Sequence, residues 1–382
     1  MKIDVDFVAS MAQKLVRINS ENPPGRELEI ASFVAERLSE LGLKARVDRF
    51  EDRANAVGSI RWSDGKTLLL LTHLDTVPAG SRENWRNPPF DGIIRGGRVY
   101  GRGAADAKGS LASMLGTLKS ISDSGMELRG QLVVAAVADG EGKSRGVKRL
   151  LSRGMKADYA VVGEPTELLV CTANKGRLTV SARFLGKPAH PSSPKPASNP
   201  IQAAMEFLLK IDEELVENLP SHPILGRATI APTIIRGGLA DNVIPDEVEV
   251  TLDRRVLPGE ELEAVMKPIR KIAEEAAEKT KIDFEVAIRK WIPPAESDSE
   301  TEIAKIAVKA VSDKIGRKVK PAGFAGTSDT VFLVHAGIPT IILGPGSLEQ
   351  AHSPDEWISV SELADAAEIY ASIIAKVLGR KT

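Results

Sequence analysis

Two of the five histidines stand among acids in patterns that could bind metal. His73 follows an apolar run in the segment Thr72-His73-Leu74-Asp75-Thr76-Val77-Pro78. Residues two apart on a strand share a face, so His73 and Asp75 can be neighbours. A ligating imidazole usually gives its other N–H to a carboxylate, which fixes its tautomer, and Asp75 suits that job. Taken alone, the segment reads equally as a surface His–Asp pair at a strand end. Asp106 lies in Gly101-Arg102-Gly103-Ala104-Ala105-Asp106-Ala107-Lys108-Gly109, and Asp139 and Glu141 follow the apolar run 131–138. Glu164 lies in Val161-Val162-Gly163-Glu164-Pro165-Thr166, and His352 in Ala351-His352-Ser353-Pro354-Asp355-Glu356. Singly, each acid reads more readily as a cap or a solvated charge; Asp106 would make a good helix N-cap. Together, these oxygen and nitrogen donors suit zinc, cobalt or manganese. One bridging carboxylate with two His/Glu sets could hold two ions about 3.5–4 Å apart.

Such residues need elements that converge. In an open α/β sheet the ligand crevice lies beyond the carboxyl ends of the strands, and all of these residues fall at strand ends or helix starts. Apolar periodicity predicts helices near 7–17 and 27–41, separated by the breaker Asn22-Pro23-Pro24-Gly25. Strands follow near 45–50, 56–60 and 67–72, then a helix over about 106–120 and the strand 131–138. Alternating helices and apolar strands predict a sheet covered on both faces. The middle differs: Leu178, Val180, Ala182 and Phe184 alternate with polar residues. There the order is strand, helix (about 200–218), strands near 228–236 and 248–256, helix (about 260–279) and strand (about 282–288). This β-α-β-β-α-β order is ferredoxin-like. Pro268 should kink or break its helix. The α/β pattern resumes after Trp291 with 302–315 and 340–343. The reading is one domain in two pieces, 1–175 and 291–382, with a smaller domain, 176–290, inserted.

Composition narrows the function classes. The chain has 382 residues, enough for about two domains at roughly 150 residues each. Hydrophobic residues make up 42%, and 51 basic residues face 52 acidic ones for a net charge of -1. Nothing in that balance argues for nucleic acid or an anionic membrane. No apolar run approaches the ~18 residues of a membrane span, and the first residues lack an apolar signal region. The lone Cys171 excludes a disulfide framework and a cysteine zinc site. The expectation is a soluble, cytoplasmic α/β protein.

Taken together, the motifs resemble the co-catalytic zinc aminoacylases and carboxypeptidases, the family that includes acetylornithine deacetylase, succinyl-diaminopimelate desuccinylase, aminoacylase and glutamate carboxypeptidase. The matching pieces are HLDTVP (73–78), GRGAADAKG (101–109), GEPT (163–166), GKPAHPSS (186–193), NVIP (242–245), DRRVLPG (253–259), GTSD (326–329), GIPT (337–340), GPG (344–346) and AHSPDEW (351–357). They run in family order across nearly the whole chain. The resemblance implies a zinc-exopeptidase-like catalytic domain with an inserted lid that forms a homodimer contact. It implies His73 and Glu164 on one metal, Glu141 and His352 on the other, Asp106 as the bridge and Asp75 orienting His73. His190 resembles the lid histidine that reaches the neighbouring subunit's site and polarises the scissile carbonyl. Asn242, Arg255, Thr327 and Ser328 resemble the residues that hold the substrate carboxylate and the developing oxyanion. Arg255 suits this because its fork matches a carboxylate; its alternative is a strand-end salt bridge. The implied reaction is hydrolysis of an N-acyl amino acid or short peptide by a hydroxide on two divalent ions, zinc or cobalt.

One departure matters. The family usually shows two consecutive glutamates here, the first a general base and the second a ligand. In Asp139-Gly140-Glu141, glycine takes the base position. Three explanations stand: a weak or silent member that still binds metal and ligand, a substitute carboxylate such as Asp139, or removal of the base by substitution. A rival reading takes Gly142-Lys143-Ser144-Arg145-Gly146 as a serine nucleophile elbow. Ser144 lies about six residues past the strand, too far for that turn, and the reading leaves His73, Asp106 and Glu164 idle.

Overall fold

The computed structural model describes residues 2–192 and 199–379. The chain divides into two compact units. The larger comprises residues up to Ala173, Glu296–Phe324 and those from Ser328 onward; the smaller comprises Asn174–Ala295 and Ala325–Thr327.

The larger unit is built on a mixed sheet in the order Lys44–Phe50, Arg53–Arg61, Gln131–Val137, Thr67–His73, Tyr159–Val162, Thr340–Ile342, Cys171–Asn174 and Ala295–Glu296, with Ala322–Phe324 paired to Cys171–Asn174. Its centre is parallel: Thr67–His73 runs between Gln131–Val137 and Tyr159–Val162, and Thr340–Ile342 continues beyond. Parallel strands are covered on both faces and so are apolar throughout, which accounts for the unbroken Leu68–Leu71. Leu68 and Leu70 pack into the core formed with Val5–Arg17, Glu27–Glu40, Gly109–Ser124, Glu302–Ile315 and Val360–Leu378. Leu69 and Leu71 pack on the other face with Val147, Leu150, Leu333 and Ile338. Each of these buried leucines contributes about 1.5–3 kcal/mol of transfer free energy. Because three neighbouring strands run in the same direction, His73 and the segments bearing Glu141 and Glu164 leave the sheet at one end.

The smaller unit follows the strand and helix order Gly176–Leu185, Pro200–Lys210, Thr229–Gly237, Glu247–Val256, Leu262–Thr280 and Asp283–Ile292. Its antiparallel sheet runs Thr229–Gly237, Glu247–Val256, Gly176–Leu185, Asp283–Ile292, a ferredoxin-like arrangement. Leu178, Val180, Ala182 and Phe184 face the helices, against Phe207, Met266 and Ile269.

Four details differ from the sequence reading. Leu262–Thr280 continues through Pro268. Proline removes one backbone bond, but the buried row Val265, Met266, Ile269, Ile272, Ala273 and Ala276 lies on both sides of it and holds the two halves to the sheet. The helix expected from 106 begins at Gly109, with Lys108 in the capping position, so Asp106 lies upstream of the cap, in an irregular segment at φ -123°, ψ 93°. The helix expected to reach 218 is regular only to Lys210 and continues as irregular turns to Asn218. Ala325–Thr327 belongs with the smaller unit, where the Thr327 hydroxyl donates to the Lys175 carbonyl at 3.0 Å. Among the described residues, no helix is long and apolar enough to cross a membrane.

Candidate metal centre

His73 ends its strand opposite Val137, and the Leu74 amide donates to the Val137 carbonyl at 2.7 Å. The imidazole is buried in the larger unit. Its Nδ1–H donates to the backbone carbonyl of Asp75 at 2.9 Å, which leaves Nε2 free to ligate. Nε2 lies 3.0 Å from Asp106 Oδ1 and 3.9 Å from Glu164 Oε2. The other oxygen of Asp106, Oδ2, lies 3.3 Å from His352 Nε2, which is 2.8 Å from Glu141 Oε1. Two donor sets result, His73/Asp106/Glu164 and Asp106/Glu141/His352, with the atoms of each within 4.8 Å of one another. Asp106 belongs to both, one oxygen facing each histidine. The first set is buried, whereas the side chain of His352 is 50% exposed, so the second set has an open side.

Charge in this cluster is unbalanced. Burial and the charge of Asp106 push the Glu141 carboxyl up, and burial lifts Glu164 far above the ordinary range. Burial opposes charge on His73, but Asp106, Asp75 and Glu164 lift it well above an ordinary imidazole; Asp106 and Glu141 lift His352 to about 10. Burial would also raise Asp106, yet the two histidines hold it well below the carboxylate range. Three acids therefore compete for the protons of two imidazoles. Dications would relieve that competition, and nitrogen and oxygen donors without sulfur suit zinc, cobalt or manganese.

Asp75 does more than sequence reasoning assigned, and in a different way. Its carboxylate is fully buried but 3.6 Å from His73 Nδ1; the backbone carbonyl makes the contact instead. Oδ1 accepts from the Gly140 amide at 2.8 Å, and Oδ2 accepts from the Glu141 amide at 3.1 Å and Asn22 Nδ2 at 2.8 Å. It thus ties the His73 strand end to the Glu141 turn. Asp139 does not face the cluster with free oxygens: Asn22, Arg145 and the Lys143 amide occupy them. Burial works against its charge, but those donors hold its pKa below the ordinary value.

Sequence reasoning missed Glu356. Its fully buried carboxylate accepts from the amides of Gly103, Ala105 and Asp106 at 2.9–3.1 Å and from Arg102 Nη1 at 2.6 Å. That clamp holds the irregular segment presenting Asp106. Its position in the His352 motif was the available signal.

The other expected residues lie outside this cluster. His190, Asn242, Arg255 and Thr327 belong to the smaller unit, and Ser328 begins the last stretch of the larger. Ala189 and Ile244 form an antiparallel bridge, so the segments bearing His190 and Asn242 adjoin. His190 Nδ1 accepts from the Ser192 amide at 3.2 Å and lies 2.7 Å from the Ser192 hydroxyl, leaving Nε2–H as a donor. Arg255 is paired with Asp253 at 2.8 Å. Ser193, the last residue of the His190 motif, lies outside the described residues.

Comparison with known proteins shows the family. The pattern of Peptidase family M20/M25/M40 matches residues 69–376. A metallohydrolase of Methanocaldococcus jannaschii is 30% identical, over 97% of this chain and 99% of that protein. A succinyl-diaminopimelate desuccinylase of Thioalkalivibrio sulfidiphilus is also 30% identical, over 96% and 98%. The crystal structure of a Staphylococcus aureus tripeptidase superposes with a TM-score of 0.83 at 24% identity, covering 99% of each chain, which speaks to the fold. With residues 69–376 matched and the two donor sets in place, the chain belongs to Peptidase family M20/M25/M40.

Proposed function

We propose that this protein hydrolyses the amide bond of an N-acyl amino acid, in the manner of acetylornithine deacetylase or succinyl-diaminopimelate desuccinylase, using two divalent ions, zinc or cobalt. The observation that carries this reading is Asp106, which offers one oxygen to the His73 set and the other to the His352 set. His73 and Glu164 would hold one ion, Glu141 and His352 the other, with Asp106 between. Ions bound there supply Lewis acidity and lower the pKa of water. Asp75 fixes the His73 tautomer and the Glu141 turn. Nε2–H of His190, on the lid of a neighbouring subunit, would donate to the scissile carbonyl oxygen as charge develops there. Asn242, Arg255, Thr327 and Ser328 would hold the substrate carboxylate and that oxygen. Exposed Ile201, Met205 and Leu209 on one helix, with Ile234 and Ile235 on the sheet's edge strand, support a homodimer through this smaller unit. Sedimentation of Met205→Asp should then show monomer where the parent shows dimer.

A proton acceptor is still required, and Gly140 cannot supply one. Asp139 is held as an anion by three donors. Asp329 meets the pKa condition for a base: burial lifts its carboxyl to about 6, and its charge couples to His73 and Asp75. A second reading, a catalytically weak or silent ligand-binding member, is favoured by Gly140 itself; a dipeptidase or carboxypeptidase of the same family is the remaining alternative. Metal-dependent amine release from N-acetylornithine, N-acetyl-lysine and N-succinyl-diaminopimelate separates the readings; two bound metals with no turnover on any would support the silent one.

A further inference from the structure

The breaker Asn22-Pro23-Pro24-Gly25 lies beside the metal cluster rather than merely ending a helix. The Asn22 amide donates to the Thr76 carbonyl at 2.8 Å, the Thr76 amide to the Ser20 carbonyl at 3.0 Å, and the Ser20 hydroxyl to the Leu74 carbonyl at 2.8 Å. This stitches residues 20–22 along the segment that follows His73. The side chain of Asn22 then bridges two buried carboxylates: Nδ2 lies 2.8 Å from both Asp75 Oδ2 and Asp139 Oδ1. A primary amide has two N–H donors, one for each acid. Its oxygen accepts from Arg53 Nη2 at 3.1 Å, and Arg53 Nη1 pairs with Glu27 Oε1 at 2.7 Å. Arg53 and Glu27 are buried, with side chains 6% and 0% exposed. Gly25 is what lets the guanidinium through. At φ +94°, a Cβ there would stand 1.5 Å from Arg53 Nη1, so any larger residue would push the guanidinium off Asn22 and Glu27.

We infer that Asn22, oriented by the buried Arg53–Glu27 pair, is a positioning residue for both metal sites, acting through Asp75. The donor order excludes a simple filler role. Arg53 can only donate, so it fixes the Asn22 amide with its oxygen toward Arg53 and its nitrogen toward the acids. Asp75 in turn accepts the Gly140 and Glu141 amides and supplies the carbonyl that holds His73. Losing Asn22 removes the one donor that Asp75 and Asp139 share, so the two carboxylates repel and Asp75 shifts against its remaining donors, the Gly140 and Glu141 amides. Asp75 is the common support of His73 and of the Glu141 turn, so displacement should loosen both sites.

This inference rests on the proposed two-metal reading, and the test separates the two. Cobalt is titrated into metal-free parent, Asn22→Ala, Arg53→Met and Thr117→Val, following the visible spectrum, metal stoichiometry and thermal unfolding. Thr117 is a buried control in the helix Gly109–Ser124 whose hydroxyl bonds the Ala367 carbonyl. Asn22→Ala should bind cobalt at least tenfold more weakly at both sites, with a shifted spectrum; Arg53→Met should show the same direction, and Thr117→Val should lose only stability. At saturating cobalt, kcat should fall and KM hold. Folded Asn22→Ala and Arg53→Met with parental affinity and spectrum would overturn the inference while leaving the proposed function standing. A parent that takes up no cobalt would overturn both.

Discussion

Gly140 sets the sharpest test of how this centre is built. A Cβ added at this position would lie 2.5 Å from His73 Cβ and 2.8 Å from His73 Cγ. Carbon atoms rest about 3.5–4.0 Å apart, so His73 or the turn must yield by roughly 1 Å. The turn is anchored by the Gly140 amide on Asp75, so the imidazole is the softer partner. Overpacking of this kind costs about 1–3 kcal/mol. If the strain falls on His73 it appears as metal affinity weakened roughly 5–150-fold, at about 1.4 kcal/mol per tenfold. Gly140→Ala should show that loss with no gain. Gly140→Glu carries the same steric cost but adds a carboxylate where the family places its base, worth about 10²–10⁴-fold in rate. At saturating metal its turnover should exceed the parent's at least tenfold, while its metal affinity is lower. The assay is a metal titration against a competing chelator, with initial rates on an N-acyl amino acid at saturating metal. Parental affinity in Gly140→Ala would refute the steric argument. An unchanged rate in metal-loaded Gly140→Glu would refute the assignment of the base position.

Three further outcomes follow from the same contacts. Glu356→Ala leaves Arg102, whose side chain is 3% exposed, as an unpaired buried charge, so denaturant unfolding should show a loss of about 3–5 kcal/mol; Glu356→Gln should lose less. Asp329 has a folded pKa near 6 against about 3.9 unfolded, so the folded state binds the extra proton and stability falls as pH rises from 4 to 6. In metal-free protein, Asp329→Asn should therefore be more stable by about 2–3 kcal/mol at pH 8 and equal near pH 3, at about 1.36 kcal/mol per pKa unit, and its metal-loaded form should lose turnover; a parallel pH–stability curve would contradict this. His190→Ala should lower turnover roughly 10²–10³-fold, the worth of an oxyanion donor, with two metals still counted per chain.

Much of the centre was legible because its residues follow apolar strands that share one direction. The rows ending at His73, before Glu141 and before Glu164 each read as a buried strand, and parallel neighbours deliver their ends to one place. The smaller unit was legible from the alternation of Leu178 to Phe184, a signal of one covered face. The supports were not. Arg53 meets Asn22 across 31 residues and Glu356 meets Ala105 across 251, and no periodicity links such pairs. Asn22-Pro23-Pro24-Gly25 read as a breaker because proline and glycine explain a break completely. The close approach of Arg53 to Gly25 exists only in three dimensions. Pro268 read as a break because helix propensity is local, whereas the packing that carries the helix past it is not.

The central claim is a pair of metals joined by Asp106 that hydrolyses an amide. It is tested most directly by loading metal-free protein with zinc or cobalt, counting bound metal, and measuring amine release from the three N-acyl substrates in the same samples. The account predicts two metals per chain, turnover on at least one substrate that chelator abolishes, and weakened metal binding at both sites in Asp106→Ala. Full occupancy without turnover on any substrate would contradict the proposed reaction, and failure to bind metal would contradict the site itself.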